Sequence, residues 1–138
     1  MKTAVIAGAV IAGALFVAPV AGSASESIAG AWGGEVHDTV ASADYEVNVL
    51  IDEKLKEGKK GGESYYPAYD CQGDLVLKKH KDGSPKYIFK EKITEGIENC
   101  VDGGKVTLKR EGNKVSYRWT MKDTEGSADG LLKRLQPE

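Results

Sequence analysis

The chain has 138 residues, a formal net charge of −2, 17 glycines, two cysteines and two histidines. That length is enough for one domain, and the interspersed charges lack the basic excess of a nucleic-acid binder. The densest basic run, Lys78-Lys79-His80-Lys81, is flanked by Asp74 and Asp82 and reads as a solvated strand end.

The first segment does not read as part of a folded body. Lys2 precedes a run from Ala4 to Ala21 made only of Ala, Val, Ile, Gly, Leu, Phe and Pro, and Gly22-Ser23-Ala24-Ser25 follows. A positive start, an apolar stretch and a small-residue zone make a secretory signal. The stretch approaches the roughly 20 residues of a membrane helix, but its Ala and Gly content and Pro19 favour cleavage, placed after Ala24. The expectation is a signal peptide over 1–24 and a secreted domain over 25–138, held at the cell envelope if the signal stays on. Loss of Lys2 moves the formal charge from −2 to −3.

The remaining chain has a period of two. Tyr45, Val47, Val49 and Ile51 alternate with polar or outward residues, as do Cys71, Gly73, Leu75 and Leu77. The same holds for Tyr87, Phe89, Glu91 and Ile93, for Val106 and Leu108, and for Val115, Tyr117, Trp119 and Met121. Each set marks a half-buried strand. Further strands fit Ala31 to His37, Glu63 to Tyr66, and Ala128 to Leu135. Asp82-Gly83 suits a tight hairpin turn, and Glu111-Gly112-Asn113 and Asp102-Gly103-Gly104 separate other strands. The charged and Gly-rich stretch from Glu53 to Gly62 reads as a mobile loop.

Cys71 and Cys100 are an even pair in a chain marked for export, which predicts a disulfide. Closing a loop of about 30 residues stabilises by about 3.5 kcal/mol in the chain-entropy model. Metal ligation and thiolate catalysis are the alternatives, and neither has a local motif. The fold class is therefore all-β: a small antiparallel up-and-down barrel of about eight strands with one disulfide. Its interior would be largely filled by side chains, leaving a shallow cavity or none.

Two features resemble the calycins, the superfamily of lipocalin-like barrels. Gly30-Ala31-Trp32 is similar to their Gly-x-Trp in the first strand, and Arg134 to the basic residue that crosses the Trp and closes one barrel end. A guanidinium on a shielded Trp face gains about 1 kcal/mol or more. The chain also resembles a family of small extracytoplasmic domains of actinobacterial proteins. Trp32, Tyr45-x-Val47-x-Val49, Tyr66-Pro67, Cys71-x-Gly73-x-Leu75-x-Leu77 and Tyr87-x-Phe89-x-Glu91-x-Ile93 carry that resemblance. So do Cys100-x-x-Gly103-x-x-Val106-x-Leu108, Tyr117-x-Trp119 and Gly130-x-Leu132-x-x-Leu135. The resemblance implies fold and extracytoplasmic location rather than an activity.

Glu91 shares parity with Tyr87, Phe89 and Ile93 and should point inward. A buried carboxylate must be paired or lose its charge, so an internal salt bridge to Arg134 or Arg118 is expected. The alternatives are a polar anchor for a ligand at one barrel end and a catalytic acid. Tyr65, Tyr66 and Tyr69 form a dense aromatic stretch, and Tyr is favoured on recognition surfaces. If the stretch is a strand, Tyr65 and Tyr66 face opposite ways. These three tyrosines and Glu91 are the candidate binding residues.

No catalytic or metal residue is assigned. His37-Asp38 are adjacent on a strand, two isolated histidines make no zinc site, and no nucleophile elbow or phosphate loop is present. No cofactor is implied and the domain is not read as an enzyme. The reading is a monomeric secreted binding module acting through a barrel rim or Tyr-rich loop. Its partner would be an extracellular protein or small ligand, with no nucleic acid and no membrane after signal cleavage. The alternative is an inhibitor of a secreted hydrolase, a protease or lysozyme. Carriage of an apolar ligand would require a cavity of roughly 300 Å³ or more.

Overall fold

Burial alternates residue by residue along the extended segments, and this pattern closes the chain on itself. The computed structural model describes residues 27–135; the expected signal peptide over 1–24 lies outside the described residues. Eight strands follow in order: β1 Gly30–Asp38, β2 Ala43–Ile51, β3 Lys60–Tyr66, β4 Cys71–His80, β5 Lys86–Glu95, β6 Lys105–Glu111, β7 Lys114–Thr120 and β8 Ala128–Arg134. A single 3-10 turn, Pro67–Tyr69, joins β3 to β4. Each strand pairs antiparallel with its sequence neighbour, and β8 pairs back onto β1, so the barrel is closed and has no free edge. The molecule is an all-β up-and-down barrel with one disulfide, as the alternation predicts.

The core is the inner face of this sheet. Trp32, Val36, Val47, Val49, Leu75, Phe89, Val106, Leu108, Val115, Tyr117 and Leu132 are all buried. The seam between β1 and β8 is tight: a Cβ on Gly130 would lie 2.4 Å from the Glu35 carbonyl oxygen, and one on Gly34 would lie 2.6 Å from that of Leu131. Close backbone approach at the seam therefore requires residues without a side chain there.

The Glu53–Gly62 stretch departs from expectation. Lys60 to Gly62 already belong to β3, and the preceding turn docks on β4 through Gly58 N–H to Leu77 O at 2.8 Å and Leu77 N–H to Lys59 O at 3.0 Å. Leu55 supplies the anchor. It packs against the core, and its side chain fills the space over Gly61, where a Cβ would meet it at 2.5 Å. One apolar residue and one glycine thus fasten a segment whose charges alone suggest mobility. Met121 falls in the turn after β7, and Leu135 just past β8.

The meander sorts the connections to two poles. One pole carries residues 27–29, the β2–β3 connection and the β4–β5 and β6–β7 hairpins. The other carries the turns 39–42, 67–70, 96–104 and 121–127. Cys71 and Cys100 are bonded, with Cα atoms 6.4 Å apart, and tie the start of β4 to the β5–β6 connection at that second pole.

Candidate functional site

The first pole is sealed. Trp32 is fully buried and donates its indole N–H to Ile28 O at 2.9 Å. The Arg134 guanidinium lies 4.2 Å from the Trp32 ring centroid, and Arg110 lies over the same ring at 5.2 Å. Arg134 also donates to Ala29 O at 3.0 Å, and Arg110 to Ser27 O. Arg110 shares inward parity with Val106 and Leu108, a signal present in the sequence that Arg134 alone does not exhaust.

The second pole holds a half-open cavity of about 210 Å³. Its walls include the rings of Tyr45, Tyr66, Tyr69, Tyr117 and Trp119, with the carboxylates of Asp38 and Glu91 and the apolar side chains of Val40 and Val101. Tyr45 stands edge-on to Tyr69, with centroids 5.1 Å apart and planes at 77°, and edge-on to Tyr66 at 6.2 Å and 74°. The rings are therefore set as walls at right angles, not as a flat stack. Of the four candidate binding residues, Tyr66, Tyr69 and Glu91 meet here. Tyr65 does not: it is the outward residue of the alternating pair, 41% exposed, and lines a more open depression of about 320 Å³ on the outer face with Leu50 and Leu135.

Glu91 is 1% exposed. Its Oε2 accepts from Ser64 Oγ at 2.6 Å and from the Tyr66 hydroxyl at 2.5 Å. The Tyr117 hydroxyl lies 2.8 Å from that of Tyr66, and since Tyr66 donates to Glu91, Tyr117 donates to Tyr66. The Trp119 indole is a further donor to Glu91. Burial pushes the Glu91 carboxyl above the usual carboxylate range, against the pull of the three donors. Burial also raises the Tyr66 and Tyr117 phenols well above their ordinary value, so both are neutral donors.

The expected ion pair from Glu91 to Arg134 or Arg118 does not form. Arg134 is at the opposite pole over Trp32. Arg118 lies between the inward Tyr117 and Trp119, so it points outward and meets Asp129 at 3.2 Å. Glu91 is held by neutral donors alone.

The backbone around Glu91 is also fixed. Its N–H donates to Gly104 O at 2.8 Å, its carbonyl accepts from Gly103 N–H at 3.1 Å, and Asp102 Oδ1 accepts from Ile93 N–H at 2.7 Å. The segment after Cys100 is thus strapped along β5. Asn99 Nδ2 adds a bond to Tyr69 O at 3.1 Å across the rim. A Cβ on Gly104 would lie 2.1 Å from Trp119 Nε1, so the indole rests directly on that glycine. At the rim, Asp38 Oδ1 accepts from the Val40 and Ala41 amides at 2.8 and 2.9 Å, and Oδ2 from the Tyr45 hydroxyl at 2.7 Å. Burial, and next the bond to Asp38, raise the Tyr45 phenol far above its ordinary value.

Sequence reasoning did not single out Tyr45, Tyr117, Trp119 or Asp38. Inward parity, combined with strand direction, places all four toward the second pole. His37, by contrast, is on the outer face with Asp44, and His80 stacks on Tyr87 at 3.8 Å. Among the described residues, no three His, Cys, Asp or Glu side chains converge as a metal-ligand set.

No protein-family model matches the chain, and no curated protein matches it. The cavity itself therefore carries the functional reading.

Proposed function

We propose that the chain is an exported binding domain that takes a small molecule into the cavity of its open pole. The observation that carries this is the asymmetry of the barrel. One pole is plugged by Trp32 under two guanidinium groups, while five aromatic rings and two carboxylates converge on a cavity at the other. Concave aromatic walls with a few fixed polar groups are the usual make-up of a ligand site. An engineered cavity of roughly 150 Å³ takes benzene, so about 210 Å³ suits a ligand of about eight non-hydrogen atoms. That volume is below the roughly 300 Å³ of a carrier for bulky apolar cargo. The Cys71–Cys100 disulfide and the Lys2-to-Ala24 sequence support action outside the cytoplasm.

A fragment screen of the domain by ligand-observed NMR tests the reading. Hits should lose binding when Val101→Trp fills the mouth of the cavity, and keep it when Tyr65→Ala trims the outer face. Hits that survive Val101→Trp would overturn the assignment of the site.

A further inference from the structure

The cavity's charge is one-sided. Its lining contains two carboxylates and no Lys, Arg or His. The ion pairs among the described residues lie elsewhere: Lys60 with Glu63 and Asp74, Arg118 with Asp129, and His37 with Asp44. Arg110 and Arg134 are committed to Trp32 at the far pole. A carboxylate withdrawn from water is matched by an opposite charge or takes up a proton, and a bound cation would favour the charged form. Glu91 has only Ser64, Tyr66 and Trp119 as partners, all neutral.

The rings add a second, independent preference. The faces of Tyr and Trp attract a cation through their quadrupole, more strongly when water is excluded. Tyr45 meets both Tyr66 and Tyr69 near right angles, so the rings that line the cavity are not all in one orientation. Asp38 accepts from two amides and the Tyr45 hydroxyl and adds to the negative field at the rim. A hard metal ion, which collects six or more oxygens, finds no such set. A soft organic cation finds both aromatic faces and a counter-charge. Val40 and Val101 then offer apolar contact at the mouth.

We propose that the ligand is a small organic ammonium ion, its charged head held among the rings next to Glu91 and its apolar body against Val40 and Val101. This rests on the ligand-binding reading above and narrows it to a chemical class.

Three probes of near-equal size test it: benzylammonium, benzyl alcohol and benzoate, titrated calorimetrically into the oxidised domain and followed by amide shifts. The ammonium should bind at least ten-fold more tightly than the alcohol, with shifts at residues 38–41, 91 and 117–119, and benzoate should not bind. Glu91→Gln should bring the ammonium within about three-fold of the alcohol. Tyr69→Leu, at the rim, should weaken the ammonium more than the alcohol and does not depend on the buried network. If the alcohol binds at the cavity as well as the ammonium does, the charge class is wrong while the binding reading stands. If none of the three shifts cavity resonances, both fall.

Discussion

The Tyr66 hydroxyl donates to Oε2 of Glu91, joining the last residue of β3 to the middle of β5 across the barrel interior. The bond makes the two side chains one unit with Ser64 and Tyr117, and it sets what happens when either is changed.

Tyr66→Phe removes a donor from Glu91 and an acceptor from Tyr117 while keeping the ring. Two buried groups lose a partner, at about 1–3 kcal/mol for each unsatisfied group. Urea denaturation should show a lower midpoint with an unchanged slope. No loss of stability would mean the hydroxyl chain is not formed.

The raised Glu91 carboxyl makes stability depend on pH. Its folded pKa lies above the unfolded value, so in the interval between them the folded state holds more proton than the unfolded one. Stability then falls as pH rises through the folded pKa, and the full penalty is present above it. The groups around Glu91 that share this field are Tyr45 on β2, Tyr66 on β3, Tyr117 on β7, and Asp102 in the β5–β6 connection. Glu91→Gln should remove this component. Calorimetric Tm values for wild type and variant, measured from pH 4 to 8, should diverge in the variant's favour as pH rises; parallel curves would refute the assignment.

Arg134→Met keeps much of the side chain's apolar stem but removes the charge over Trp32 and the bond to Ala29 O. A loss of about 1 kcal/mol is expected. Combined with Arg110→Met, the losses should be non-additive, because both guanidinium groups address one ring. Binding at the open pole should not change, and a parallel loss of binding would contradict the separation of the two ends.

Replacing Cys71 and Cys100 together by Ala should cost about 3.5 kcal/mol by chain entropy. That loss acts through the unfolded chain and is global; a further, local loosening should appear in the strap along β5. Hydrogen exchange at the Glu91 and Gly103 amides, which bond Gly104 O and Glu91 O, should accelerate more than at the Val47 amide. Uniform acceleration would mean that the disulfide acts on the whole barrel and not on this strap.

Gly104→Ala places a methyl where the Trp119 indole rests. Displacing the ring removes one wall of the cavity and one donor to Glu91. The emission of Trp119 should shift to the red, read as the difference from wild type, because Trp32 stays buried at the far pole.

Much of the fold was legible because parity is a local property. Tyr45 to Ile51, Tyr87 to Ile93 and Val115 to Trp119 announce their buried faces without reference to any partner. The inward turn of Glu91 followed from the same rule. Its partners did not, since they depend on which strands lie across the barrel and at which height. Arg118 was excluded by its own parity and Arg134 by its pole, and both facts were in the pattern once strand direction was followed. The docking of Leu55 was not, because a lone apolar residue in a charged run carries no period, and the core and Gly61 it meets belong to neighbouring strands. The cavity escaped for a similar reason: whether rings at one end fill the space or wall it depends on the angle at which Tyr45 meets Tyr66 and Tyr69.

The plug of Trp32 and its two arginines divides labour along the barrel axis. On the proposed reading, exchanges in the turns 39–42, 67–70 and 96–104, which line the cavity, would retune what the mouth admits while leaving the plug at the far end untouched. Specificity in such a scaffold would drift under selection without cost to the part of the stability that the plug supplies.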